Sequence, residues 1–174
     1  MAKKLNSAFI ILLLLISVGF GFRYFFGAHA HNGGGESTAP LFAATFPNEK
    51  GVQVALKQYQ GKTIVLNFWA TWCEPCREEM PELSQLHLEN SAKNIVVLGL
   101  AIDDVATISE FSKEVKVAYP LLAADFAGMD LATSLGNNKG VLPYTIIIKP
   151  DGTIAKTFFG RVTNDLLMQT LNTI

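Results

Sequence analysis

The chain has 174 residues, of which 49% are apolar, and a formal net charge of −1 at pH 7. That length suits one modest domain with a single core. The balance of charge, with no basic stripe along the chain, offers no surface for nucleic acid, which requires a clear excess of Lys and Arg.

Much of the apolar content sits at the N-terminus. Lys3 and Lys4 precede an apolar run from Leu5 to Phe22, continued past Arg23 by Tyr24, Phe25 and Phe26. About 20 apolar residues cross a bilayer, with basic residues held on the cytoplasmic side and aromatics at the interface. Residues 1–26 are therefore expected to form a cytoplasmic tip and a single transmembrane anchor, leaving the rest of the chain outside the cytoplasm. The alternative is a cleaved signal peptide, because Ala28-His29-Ala30 has the small-x-small form of a cleavage site. Both readings export the domain. A core helix of a soluble protein is disfavoured by the absence of any polar face. Residues 27–40, GAHAHNGGGESTAP, have linker composition, and His29 and His31 stand there without a Cys or carboxylate cluster, so solvated linker is favoured over a metal site. The domain proper is expected over residues 41–174.

Asn48-Glu49-Lys50-Gly51 is a turn signal between Ala43 to Phe46 and Val52 to Leu56, predicting a short hairpin. Ile64 to Ala70 is a compact apolar run bounded by Gly61 and Thr71, the pattern of a strand buried on both faces. From Glu74 to Glu89, Met80, Leu83, Leu86 and Leu88 recur at roughly helical spacing, predicting a helix kinked at Pro81. Ile95 to Ile102 reads as a second buried strand, and Ile108, Phe111 and Val115 mark an amphipathic helix after Asp103-Asp104. Strand, helix, strand, helix implies a parallel pair with a crossover. Tyr144 to Lys149 and Thr153 to Phe159 flank the turn Pro150-Asp151-Gly152, and a last helix is expected from Asn164 to Leu171, capped by Thr163 or Asn164. The fold class is α/β, with one central mixed sheet.

The only two cysteines, Cys73 and Cys76, follow the first buried strand and open a helix. Cys73 then sits where free backbone N–H groups and the positive end of the helix dipole favour a thiolate. Cys76 lies one turn deeper, close enough to close a small disulfide and less open to a partner. Thiol-disulfide exchange requires this division between an accessible nucleophile and a resolving thiol. Pro75 suits the first helical turn, where its missing N–H is harmless. A zinc site would need further ligands, and only His87 is available outside the linker. Haem attachment would need His at position 77, which is Arg77. An inert structural bridge stays open as the alternative, although so short a loop stabilises little.

Trp72-Cys73-Glu74-Pro75-Cys76, preceded by Leu66-Asn67-Phe68-Trp69-Ala70-Thr71 and followed by Pro81 and by Val141-Leu142-Pro143-Tyr144, resembles the thioredoxin superfamily, within it the membrane-anchored TlpA/ResA-type thiol-disulfide oxidoreductases. The resemblance covers residues 41–174. It implies a thioredoxin-like fold with an N-terminal hairpin, Cys73 as attacking nucleophile and Cys76 as resolving thiol, with no cofactor beyond the redox-active Cys73–Cys76 disulfide. Pro143 matches the loop proline held cis beside that disulfide, where the backbone of Leu142 pairs with an extended substrate. Glu79 matches a helix glutamate that tunes thiol acidity and assists proton transfer; a solvated carboxylate is the competing reading, as expected for Glu78 and Glu82. Trp72 is expected to shield the disulfide and guide a partner, and Trp69 to sit in the core. Asn67 stands where general thioredoxins carry a buried Asp, which makes Glu79 the candidate base. Tyr144 follows the loop proline where relatives often have Thr or Glu, which leaves substrate preference open.

Glu74 and Pro75 are the candidates for redox tuning. A carboxylate beside Cys73 disfavours its thiolate, and a less stabilised thiolate makes a less oxidising pair, so Glu74 argues for a reductant. A reductase outside the cytoplasm needs electrons from across the membrane, and the resemblance implies a donor of CcdA or DsbD type. The expected clients are exported protein disulfides, of apocytochrome c or copper-centre assembly proteins, met by a monomer on the outer side of a bacterial inner membrane. The rival readings are a disulfide-forming oxidant, a peroxiredoxin-type peroxidase (Thr71 lies two rather than three positions before Cys73, and the upstream proline is absent) and a copper metallochaperone lacking its third ligand.

Overall fold

The computed structural model describes residues 37–174. The apolar run, the cleavage motif, His29 and His31 lie outside the described residues. Among the described residues no helix is long and apolar enough to cross a membrane.

A short helix, α1 (Ala39–Ala43), occupies the stretch read from sequence as the end of a linker and the start of a strand. Pro40 presets its first turn, Leu41 is buried, and the Thr38 hydroxyl donates to the Gly152 carbonyl at 2.6 Å, which docks the segment on the domain. The hairpin follows with shorter strands than expected, β1 (Thr45–Pro47) and β2 (Gln53–Ala55), paired antiparallel. The Asn48 carboxamide oxygen closes its turn by accepting from the N–H groups of Lys50 and Val52.

β3 (Thr63–Trp69) leads into α2 (Glu74–Asn90), then β4 (Ile95–Ala101), α3 (Val105–Glu114), β5 (Leu121–Ala123), α4 (Asp125–Ser134), β6 (Tyr144–Ile148), β7 (Ile154–Phe159) and α5 (Asn164–Leu171). The five-stranded sheet has the order β5-β4-β3-β6-β7, with β3, β4 and β5 parallel and β6 and β7 antiparallel to their neighbours. β5 and α4 are additions to the elements expected from sequence. α2 runs as one helix through Pro81; Met80, Leu83 and Leu86 are buried, but Leu88 is 68% exposed, because it falls off the stripe that the other three form. Asp104 caps α3 by accepting from the Thr107 N–H, and the Thr163 hydroxyl caps α5 by accepting from the Leu166 N–H.

β3 is buried on both faces, so its apolar run is continuous. With side chains alternating, Ile64, Leu66 and Phe68 enter one core with Leu41 and the α4 residues Leu131 and Ala132. Val65 and Trp69 enter the other, with Cys73, Cys76, Met80 and Ile108. Asn67, lying between those two in alternation, brings a polar side chain into the second core beneath α2. Gly99 is its partner on β4. A Cβ there would stand 2.8 Å from Leu121 Cδ2, 3.0 Å from Trp69 Nε1 and 3.1 Å from Tyr119 Cε2. Gly99→Ala should therefore cost about 1–3 kcal/mol in urea unfolding, the usual penalty for overpacking; a loss under about 0.5 kcal/mol would show that the neighbours give way.

Candidate active site

Cys73 is the N-cap of α2, with extended backbone, and its N–H donates to the Ala70 carbonyl at 3.1 Å. The strand thus ends in a tight turn that delivers the cysteine to the positive end of the helix. Cys73 and Cys76 are joined in a disulfide. Cys76 is wholly buried and Cys73 is 6% exposed, so Cys73 is the more accessible of the two residues. Glu74 and Pro75 lie exposed in the first turn. Trp72 is 71% exposed. Trp69 is fully buried against Phe111.

The Leu142–Pro143 peptide is cis. Its loop is held by Asn137, a residue absent from the sequence-based candidates. The wholly buried Asn137 side chain donates to the Val141 carbonyl at 2.9 Å and accepts from the Val141 N–H at 3.0 Å. The Pro143 carbonyl accepts from the Gly160 N–H at 2.9 Å. The available signal was the turn-rich string Gly136-Asn137-Asn138-Lys139-Gly140. Leu142 is half-buried and packs against both cores. Tyr144, whose place after the loop proline leaves substrate preference open, is buried: its ring lies near Phe68 and Phe159 and its hydroxyl donates to the Leu135 carbonyl at 2.6 Å, so it packs the core beneath the loop.

Glu79 is fully buried on α2, three residues beyond Cys76. One carboxylate oxygen accepts from the Asn67 amide at 2.7 Å and the other from the Val162 N–H at 2.8 Å. The Asn67 amide also donates to the Thr145 hydroxyl at 3.0 Å. Burial disfavours the charged carboxylate and pushes its pKa up to about 7, against the opposing pull of the Val162 N–H, the Asn67 amide and the Arg161 guanidinium. The solvated reading of Glu79 is therefore excluded. Buried Tyr119 feels the same charge: its pKa is raised, first by burial and then by Glu79. Asn67 Oδ1, Trp69 Nε1 and the Tyr119 hydroxyl are buried without hydrogen-bond partners.

The two neighbouring glutamates differ. Glu78 is exposed and pairs with Arg161 at 3.0 Å, as a surface carboxylate should. Glu82 accepts from the Asn164 N–H at 2.7 Å, so it is a structural clamp on the start of α5, not a purely solvated side chain. Glu79 and Glu82 thereby fasten the segment 162–164 against α2 from two successive turns.

The chain has known relatives in sequence and in fold. The AhpC/TSA family model matches residues 36–157. The thiol-disulfide oxidoreductase ResA of Bacillus cereus is 31% identical over 170 residues, covering 95% of this chain and 94% of that protein. The chain belongs to the AhpC/TSA family. Within that family it is a thiol-disulfide oxidoreductase of the ResA kind, with a thioredoxin-like fold. ResA of Geobacillus kaustophilus is 28% identical over 168 residues, covering 95% of this chain and 92% of that one. Among solved structures, a DsbF homologue from Corynebacterium diphtheriae superposes with a TM-score of 0.65 at 25% identity, covering 75% of this chain and 83% of that one. A secreted Mycobacterium tuberculosis disulfide oxidoreductase homologous to E. coli DsbE shares the fold, with a TM-score of 0.64 at 21% identity over 78% of this chain and 99% of that one.

Proposed function

We propose that the chain is an extracytoplasmic reductase of specific protein disulfides, tethered to the bacterial inner membrane by residues 1–26 and working through Cys73 and Cys76 alone, with no further cofactor. The observation that carries this reading is the buried Glu79 carboxylate, with a pKa of about 7, on the helix that bears both cysteines. In the reduced state the Cys73 thiolate attacks one client sulfur; the client S–S bond breaks and the departing thiolate takes up a proton. Glu79 then accepts the Cys76 proton, and the Cys76 sulfur attacks Cys73, releasing the second client thiolate. Two electrons have passed to the client and the protein is left with its disulfide, which a membrane dithiol donor of CcdA or DsbD type reduces again. Two carboxylates on the dithiol helix, Glu74 and Glu79, disfavour accumulation of a thiolate, which supports the reducing direction. Trp72, next to Cys73 in the chain, and the cis Leu142–Pro143 segment would receive an extended client, apocytochrome c or a copper-centre assembly protein by analogy with the family.

The test is the reduction potential of the couple, from equilibration against dithiothreitol or glutathione buffers. A value below about −200 mV is expected; a value near about −120 mV would make the protein an oxidant that forms disulfides.

A further inference from the structure

The carboxyl ends of β3, β4 and β5 lie side by side, with Trp69 opposite Ala101 and Ala101 opposite Ala123. The cysteines follow the first strand, Asp103 and Asp104 the second, Asp125 and Phe126 the third. Asp103 ties these ends together. Its carboxylate accepts from the Thr71 N–H at 2.7 Å, and its carbonyl accepts from the Asp125 N–H at 3.3 Å. The turn carrying Trp72 and the start of α4 are thus joined through one residue.

On this rim Phe126 is 82% exposed, the most exposed large apolar side chain among the described residues, followed by Trp72. The backbone that carries Phe126 is held in place. Gly128 lies so close to the sheet that a Cβ would meet Ala124 Cβ and Ile102 Cδ1 at 2.8 Å, which seats α4 firmly. Asp125 takes a φ of 48°, in the left-handed region that a residue with a Cβ normally avoids. An aromatic presented from a rigid backbone offers apolar area to a partner with little ordering entropy to lose. Along the segments that follow β4 and β5 the charge has one sign: Asp104, Asp125 and Asp130 carry carboxylates, Asp103 is half-buried, and residues 101–112 and 123–138 contain no Lys or Arg; at the Trp72 end Arg77 shares a cleft with Trp72, Glu74 and Glu78.

The geometry points to a client-docking rim, formed by Trp72, Phe126 and the carboxylates of Asp103, Asp104 and Asp125, that receives an extended cationic polypeptide with an apolar side chain next to its disulfide. The client's Lys or Arg side chains face the carboxylates, and its apolar side chain covers Phe126. A second copy of this chain is a poor occupant, because it would bring the same carboxylates against their own kind. The inference rests on the reading of the protein as an oxidoreductase of protein clients, and it holds for either direction of exchange.

The test separates docking from chemistry. Binding is measured by calorimetry on the full chain in detergent, with a short synthetic peptide in which two serines replace the cystine, flanked by leucine and lysines. A second peptide has glutamate for every lysine. The lysine peptide is expected to bind at least about tenfold more tightly, a factor equivalent to about 1.4 kcal/mol. Phe126→Ala should weaken it by a similar factor. Asp125→Asn, which keeps the left-handed backbone because Asn tolerates it, should weaken it by a few-fold and reduce its salt dependence. Equal binding of the two peptides, or unchanged binding by Phe126→Ala, overturns the rim. Reduction of dithiodipyridine by the reduced wild type reads the dithiol chemistry without the peptide. Failure of the wild type to reduce that small disulfide would instead strike the oxidoreductase reading, and leaves the peptide result to decide the rim on its own.

Discussion

Cys76→Ser should abolish turnover of a protein disulfide while leaving the first attack intact, so that one equivalent of client accumulates as a mixed disulfide on Cys73. The reason is the burial difference across one helical turn. Cys73 is the cysteine with any exposure, whereas Cys76 is wholly buried and is placed to react only with Cys73. A serine hydroxyl does not displace a thiolate, so the intermediate has no intramolecular exit. Non-reducing electrophoresis followed by mass spectrometry of the trapped species checks this. Trapping on Cys73→Ser instead would invert the two roles. The bridge closes so short a loop that its loss costs only about 2 kcal/mol by chain entropy. Compared with reduced wild type, which also lacks the bridge, Cys76→Ser should unfold at nearly the same urea concentration, and the loss of turnover is then chemical.

The central strand and the site that follows it are legible because their signals are local. An apolar run interrupted only by Asn67, followed at once by two cysteines at helical spacing, dictates strand, turn and helix start in one reading. Asn67 and Glu79 each stand out through the resemblance. That they touch each other is hidden, because the contact joins β3 to α2 across the core. The second bond to Glu79 is less visible still. It comes from the backbone N–H of Val162, which no side-chain pattern encodes. Glu82 departs from its expected solvated role for the same reason, since its partner is the backbone of Asn164 on another helix. The segment from Pro120 to Ser134 is illegible on different grounds. β5 has three residues, too few for alternation to register, and α4 has buried Gly128 and Ala132 where an apolar stripe would normally show large side chains. The small residues there serve close packing against β4, and they leave Phe126 as the segment's one conspicuous side chain, on the side facing away from the core.

Glu79→Gln should remove most of the pH dependence of stability of the oxidised protein between about pH 4.5 and pH 7. In the unfolded chain Glu79 ionises near its ordinary value of 4.5, whereas in the folded protein it keeps its proton up to about 7. Between those values the folded state binds the extra proton, so wild-type stability declines as pH rises and the full penalty is present above about 7. The pKa difference corresponds to about 3 kcal/mol, an order-of-magnitude figure. The site can hold the neutral side chain because Asn67 Oδ1 has no partner in the ionised arrangement. If the Asn67 amide turns over, that oxygen accepts from protonated Glu79 or from the side-chain amide that Glu79→Gln introduces, and the Thr145 hydroxyl changes from acceptor to donor. Urea unfolding at about pH 4 and about pH 8 should show wild type losing a few kcal/mol between them and the Glu79→Gln variant losing far less. The same substitution should slow resolution of a Cys73 mixed disulfide by about a hundredfold near neutrality and erase the inflection near pH 7 in its rate profile, because no base remains to take the Cys76 proton. If the variant keeps both the stability slope and the kinetic inflection, the titrating group lies elsewhere and Glu79 is only a clamp on Val162.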